Sequence, residues 1–120
     1  MPRYVDGFLL PVPKKNLAAY RTIARKAGKV WRDHGALEYC ECVGEDMNPT
    51  FGLPFPRQMK LKDGEVAVFS WIVYKSRRDR DRVNAAVGKD PRMAKMADAG
   101  PMPFDVKRIV YGGFEVMVNL

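Results

Sequence analysis

His34 is the only histidine in the chain, and it ends a run of helix-patterned residues. An imidazole is the side chain best suited to acid–base work near neutral pH, although a helix dipole also favours a histidine at a C-terminus for purely structural reasons. Asp6, Glu41 and Glu115 fall inside strand-patterned segments. Burial there would raise a carboxyl pKa and fit the group to donate or accept a proton, whereas pairing with Lys107 or Arg108 would make it structural. A meeting of Asp6 and Arg108 on adjacent strands would serve either role. Trp71, beside Ser70 in mid-strand, can wall a small-molecule pocket or pack at a core or an interface. Asp6, His34, Trp71, Arg108 and Glu115 are therefore the candidate ligand-binding residues, and no catalytic residue is assigned.

No Ser-His-Asp or Cys-His arrangement is readable. Cys40 and Cys42 are two apart on a strand, which places both on one face near the outer limit for a disulfide, so two reduced thiols are expected. Metal sites take four ligands as a rule, and with a single histidine no metal site is expected. Gly112-Gly113 lies inside a strand and lacks the spacing of a phosphate loop, so it is read as a bulge or a close backbone approach, and no cofactor is expected.

The chain has 120 residues with 21 basic against 14 acidic side chains, a net charge of +7. This balance favours anionic partners without choosing among them. Lys14, Lys15, Arg21, Arg25, Lys29 and Arg32 lie off the apolar stripe of the first helix and form the alternative site, a nucleic-acid (RNA) surface. The aromatics that would interleave such a surface, Tyr20 and Trp31, belong to the apolar stripe instead, which favours a solvated basic face. No apolar run is long enough to cross a bilayer, and the first residues lack a signal peptide's apolar stretch, so a cytoplasmic protein without membrane contact is expected.

These residues must be positioned by a single domain, for which 120 residues suffice. Tyr4–Val12 is a strand closed by prolines. The stripe Leu17, Tyr20, Ile23, Ala24, Ala27, Val30, Trp31 and His34 predicts a helix over 14–34 with Gly35 as its stop. Leu37–Val43 alternates as a half-buried strand, and the proline-rich stretch 44–61 is expected to hold a short strand near Gln58–Leu61. Asp63-Gly64 turns into a long apolar strand, Glu65–Lys75. Ser76 and Asp79 fit a capping box for a helix to about Val87, and Asp90-Pro91 starts another that carries Met93 and Met96 inward. Lys107–Val118 is the last strand. The order βαββαβ predicts an α+β, ferredoxin-like fold with one antiparallel sheet. Helices on one side leave an apolar sheet face uncovered, from which a homodimer is expected.

Several blocks also carry a family resemblance: Tyr4-Val5-Asp6-Gly7-Phe8, His34-Gly35-Ala36-Leu37, Phe69-Ser70-Trp71-Ile72, Asp90-Pro91-Arg92-Met93, and Met102-Pro103-Phe104-Asp105 continuing to Tyr111-Gly112-Gly113-Phe114-Glu115. Over nearly the whole chain the sequence resembles the YbaA-like family of uncharacterised bacterial proteins. The resemblance implies a dimeric α/β-barrel, the fold of small cofactor-free monooxygenases and isomerases. It brings no activity or catalytic residue with it. By fold analogy alone, an enzyme of this kind would oxidise or isomerise a small substrate between sheet and helices.

Overall fold

A computed structural model describes residues 1–120. Strand β1 (Tyr4–Pro13) and strand β3 (Glu65–Tyr74) pair antiparallel along their full lengths, from Tyr4 opposite Tyr74 to Pro13 opposite Glu65. Both are rich in β-branched and aromatic residues, which a pleated, half-buried surface favours. Strand β2 (Glu38–Val43) pairs with the outer side of β3, and β4 (Val110–Glu115) with the outer side of β1, giving the order β2-β3-β1-β4.

Helix α1 (Leu17–Asp33) follows a single 3₁₀ turn at Lys14–Asn16 and stops where Gly35 takes a φ of +116°. Helix α3 (Arg77–Gly88) is capped by Ser76, whose hydroxyl accepts from the Asp79 amide at 3.1 Å. The Asp79 carboxylate does not complete the expected capping box but takes the Arg82 guanidinium at 2.7 and 2.9 Å. Helix α4 (Pro91–Asp98) starts on Asp90, which accepts from the Arg92 amide at 2.9 Å.

Two sequence expectations change locally. The strand expected near Gln58–Leu61 is absent; a short helix α2 (Phe55–Gln58) stands there, with Pro56 in its first turn and Lys60 at φ +53° just after it. Proline lacks the N–H that a strand pairing needs but loses nothing at a helix start. The last strand begins at Val110 rather than Lys107, because Asp105 accepts from the Lys107 amide at 3.0 Å and winds Val106–Arg108 into a 3₁₀ turn. Its register against β1 runs unbroken through Gly112 and Gly113, so there is no bulge. A Cβ on Gly113 would stand 2.5 Å from the Tyr4 hydroxyl, so the glycine marks a close approach.

Alternation divides the sheet into two unlike faces. Tyr4, Asp6, Phe8, Leu10 and Val12 of β1, Val68, Ser70, Ile72 and Tyr74 of β3, and Tyr39 and Glu41 of β2 lie beneath the helices. The buried core there forms two clusters, Tyr4, Val30, Ala36, Ile72, Tyr74, Val83 and Val87 at one end, and Leu10, Val12, Tyr20, Ala24 and Val68 at the other. The opposite face carries Phe69, Trp71, Val110 and Phe114, and no helix covers it. Phe69 is 47% exposed, Val110 56% and Phe114 61%. Cys40 and Cys42 lie on this face as free thiols, their Sγ atoms 3.8 Å apart.

The sheet is open, which corrects the dimeric α/β-barrel expected from the resemblance. Its edges are β2 and β4. Four strands twisting by about 20–25° each cannot bring those edges together, and closed barrels take about eight. The result is a two-layer slab of 40 × 37 × 20 Å, and its radius of gyration of 15.2 Å exceeds the roughly 13.6 Å of a compact chain this long. The fold is α+β and ferredoxin-like, without the barrel. The barrel-based account of function, with its oxidation or isomerisation by analogy, loses its basis with it.

Candidate functional site

The two buried clusters do not meet. Between them, under α1 and α4, lies a cavity of about 320 Å³ lined by 17 residues, of which 15 are hydrophobic. Only Glu41 and Ser70 are not. They stand opposite each other in the β2–β3 register, so two adjacent strands deliver both to one spot on the floor. Ser70 is 6% exposed. The walls are Phe8, Trp31, Tyr39 and the methionines Met93 and Met96, and Phe104 packs edge-on against Tyr20 at 5.5 Å.

Glu41 is held by two tyrosines. The Tyr20 hydroxyl donates to Oε1 at 2.7 Å and the Tyr39 hydroxyl to Oε2 at 2.8 Å. Burial raises the pKa of both hydroxyls well above the usual tyrosine range, and the Glu41 bond and charge raise them further. They therefore stay protonated as donors. Tyr39 reaches this position because Gly28 leaves room on α1; a Cβ there would fall 2.6 Å from the Tyr39 ring. Trp31 closes the same wall, its indole N–H donating to Asn84 Oδ1 at 3.0 Å, which also accepts from the Tyr74 hydroxyl at 3.1 Å.

Tyr20, Glu41 and Tyr39 also form one side of an outer cavity of about 380 Å³, rimmed by Arg21, Arg25, Lys29 and Arg32. These cations are exposed on α1, and Lys14 and Lys15 are exposed on the 3₁₀ turn before it. Tyr20 is buried and Trp31 turned under the helix, so the basic face offers no ring on which a base could stack.

The residues singled out from sequence do not converge. Asp6 is 1% exposed beside a smaller cavity, with Arg80 Nη1 at 3.8 Å from its Oδ1, which has no hydrogen-bond partner. His34 caps the other end of α1 and bonds Asp90 Oδ2 through Nε2 at 2.7 Å, tying α1 to the start of α4. Trp71 lies on the open face and donates to Glu38 Oε1 at 2.9 Å. Arg108 does not meet Asp6; it grips Glu65 at 2.7 and 3.0 Å, and this pairing lowers the Glu65 pKa. Glu115 is exposed at the end of edge strand β4. Of these, only Asp6 borders space between sheet and helices. The residues missed were Tyr20, Tyr39 and Ser70 as partners of Glu41. The available signal was an acid on the strand parity of Leu37, Tyr39 and Val43, where an apolar side chain is the norm.

A family model described as a protein of unknown function, DUF1428, matches residues 3–106. The uncharacterised protein YbaA of Escherichia coli K12 is 40% identical over 117 residues, covering 98% of each chain, and YbaA of Shigella flexneri matches to the same extent. Among solved structures, a dimeric ferredoxin-like protein from an uncultured marine organism superposes over 100% of both chains with a TM-score of 0.61 at 12% identity. The de novo designed protein Foldit4 covers 96% of this chain with a TM-score of 0.51, also at 12% identity. At such identities these structures attest the open ferredoxin-like fold alone. No helix is long and apolar enough to cross a membrane. Matched by the family model from residue 3 to 106 and by YbaA along nearly its whole length, the chain belongs to the YbaA-like family described as DUF1428.

Proposed function

We propose that this chain is a small-molecule binding protein whose ligand lies in the 320 Å³ cavity between the sheet and helices α1 and α4. One observation carries the proposal: in an otherwise apolar cavity the only two polar lining residues are register neighbours, Glu41 and Ser70. Ligand sites have this composition, an apolar lining with a few placed polar groups that fix orientation. A cavity left only because packing failed would have no reason to hold a carboxylate. This support is independent of barrel chemistry, and no catalytic step is assigned. The binding unit in this proposal is a homodimer joined through the open sheet face. Exposed Phe69, Val110 and Phe114 and the slab shape support the pairing, as does the dimeric state named for the marine ferredoxin-like protein.

Filling the cavity tests the proposal. Ala27 lines it from α1, and Ala27→Phe places a ring in the space. A two-ring probe, 2-naphthol, is expected to bind the unmodified chain and quench Trp31, with affinity reduced at least tenfold in the variant. Equal affinity in both would place the probe elsewhere and refute the assignment.

A further inference from the structure

The ligand's charge can be read from what surrounds the cavity. Glu41 is the only ionisable acid or base on its lining besides the tyrosine hydroxyls. Arg21, Arg25, Lys29 and Arg32 line the outer cavity and not this one, and they are exposed, where water and salt screen them. Each Glu41 oxygen accepts one tyrosine hydroxyl. A carboxylate offers about four lone-pair sites, so acceptor capacity remains on both oxygens. The adjacent Ser70 hydroxyl is free to accept as well. Around this acceptor pair stand the rings of Phe8, Tyr20, Trp31, Tyr39 and Phe104. Ring faces are negative and attract cations, and aromatic walls beside a carboxylate are how organic ammonium groups are recognised. An anionic ligand would meet Glu41 at close range with no cation on the lining to offset it.

We infer that the ligand is an organic ammonium compound, an amine with an apolar, ring-sized body, whose N–H groups donate to Glu41 and Ser70 while its charge lies against the aromatic walls. This deepens the binding site proposed above and rests on it. The ammonium supplies donors where the floor supplies acceptors. It also brings a positive charge to the one carboxylate on the lining.

Three probes that share a phenylethyl body separate the possibilities: 2-phenylethylammonium, 2-phenylethanol and 3-phenylpropanoate. They are titrated at pH 7 into the full chain carrying Trp71→Phe, so that Trp31 alone reports. The ammonium is expected to bind at least tenfold tighter than the alcohol, about 1.4 kcal/mol, and the carboxylate weakest. Glu41→Gln keeps an acceptor but removes the charge, and it should bring ammonium and alcohol to within about twofold. An alcohol binding as tightly as the ammonium, or a preference that survives Glu41→Gln, overturns the ammonium assignment and leaves the cavity intact. If none of the three binds, the binding site itself is overturned. Should Glu41→Gln fail to fold, the probe series on the Trp71→Phe chain still decides.

Discussion

Substituting Gly28 by alanine sets two opposed terms against each other at the residue on which the Glu41 site depends. In a helix interior, alanine is favoured over glycine by about 1 kcal/mol because it loses less backbone freedom. Against this, the new Cβ would meet the Tyr39 ring at 2.6 Å (Cδ1) and 2.7 Å (Cε1), far inside van der Waals contact. The ring has little freedom to yield. Its hydroxyl is bonded to Glu41, and its centroid lies 6.2 Å from that of Trp31. Overpacking of this kind costs about 1–3 kcal/mol, so at mid-range the clash wins, and a net loss of about 1 and at most about 2 kcal/mol is expected. For a chain of this size that lowers the Tm by about 4–8 °C, measured by circular dichroism melts and by urea unfolding. Gly88, at the end of α3, is the control: nothing lies within 4 Å of its Cβ position, and Gly88→Ala should be neutral or stabilising by up to about 1 kcal/mol. In a Tyr39→Ala background the clash is gone, and Gly28→Ala should change sign and stabilise. A Gly28→Ala chain as stable as Gly88→Ala would refute the close seating of Tyr39 against α1, and with it the geometry of the site.

The remaining expectations concern the strut at the end of α1 and the open face. The Asp90 carboxyl is held far below its ordinary pKa of 3.8, chiefly by Arg92 and then by His34. A depressed folded-state pKa adds stability that is fully present above the unfolded value and is lost progressively as pH falls from there through the folded one. The stability gap between the unmodified chain and Asp90→Asn should therefore be full at pH 7 and narrow as pH falls below about 4; a gap of constant size down to pH 2 would contradict the pairing. Phe69→Lys, at the centre of the uncovered face, should halve the mass in sedimentation equilibrium and abolish the dependence of the Tm on protein concentration. An unchanged mass would exclude pairing through this face.

What was legible in the sequence was set by short-range physics. The α1 stripe, the Gly35 stop, the Ser76 and Asp90 caps and the two long strands all depend on contacts within a turn or a pleat, and the structure has each of them. The order βαββαβ then leaves few ways to arrange one antiparallel sheet. The misses came from competing local signals. Proline-rich residues 44–61 fit a helix start as well as a strand end, and Asp105 turned the start of the expected last strand into a 3₁₀ turn. Closure into a barrel was never a property of these strands. It came with the resemblance, and the strand count opposes it.

The site was less legible because it depends on strand parity and on partners far apart in sequence. In β2, Tyr39 and Glu41 share one face while Glu38, Cys40 and Cys42 share the other, and both sets mix polar with apolar side chains. Alternation alone therefore does not say which set lies under the helices. The register against β3 decides it, since Glu41 opposite Ser70 and Cys40 opposite Trp71 put the acid inside and the thiols outside. A slip of one residue would exchange them: the cysteines would enter the cavity, and Glu41 would join the open face. The pairs that fix this parity are Tyr20–Glu41, 21 residues apart, and the seat of Tyr39 on Gly28. A glycine in the middle of an otherwise strong helix costs stability by itself, so its presence in α1 was the one sequence mark of that seat. The same alternation that leaves Phe69 and Trp71 uncovered thus carries Glu41 and Ser70 under the helices, so a single register sets both the open face and the cavity.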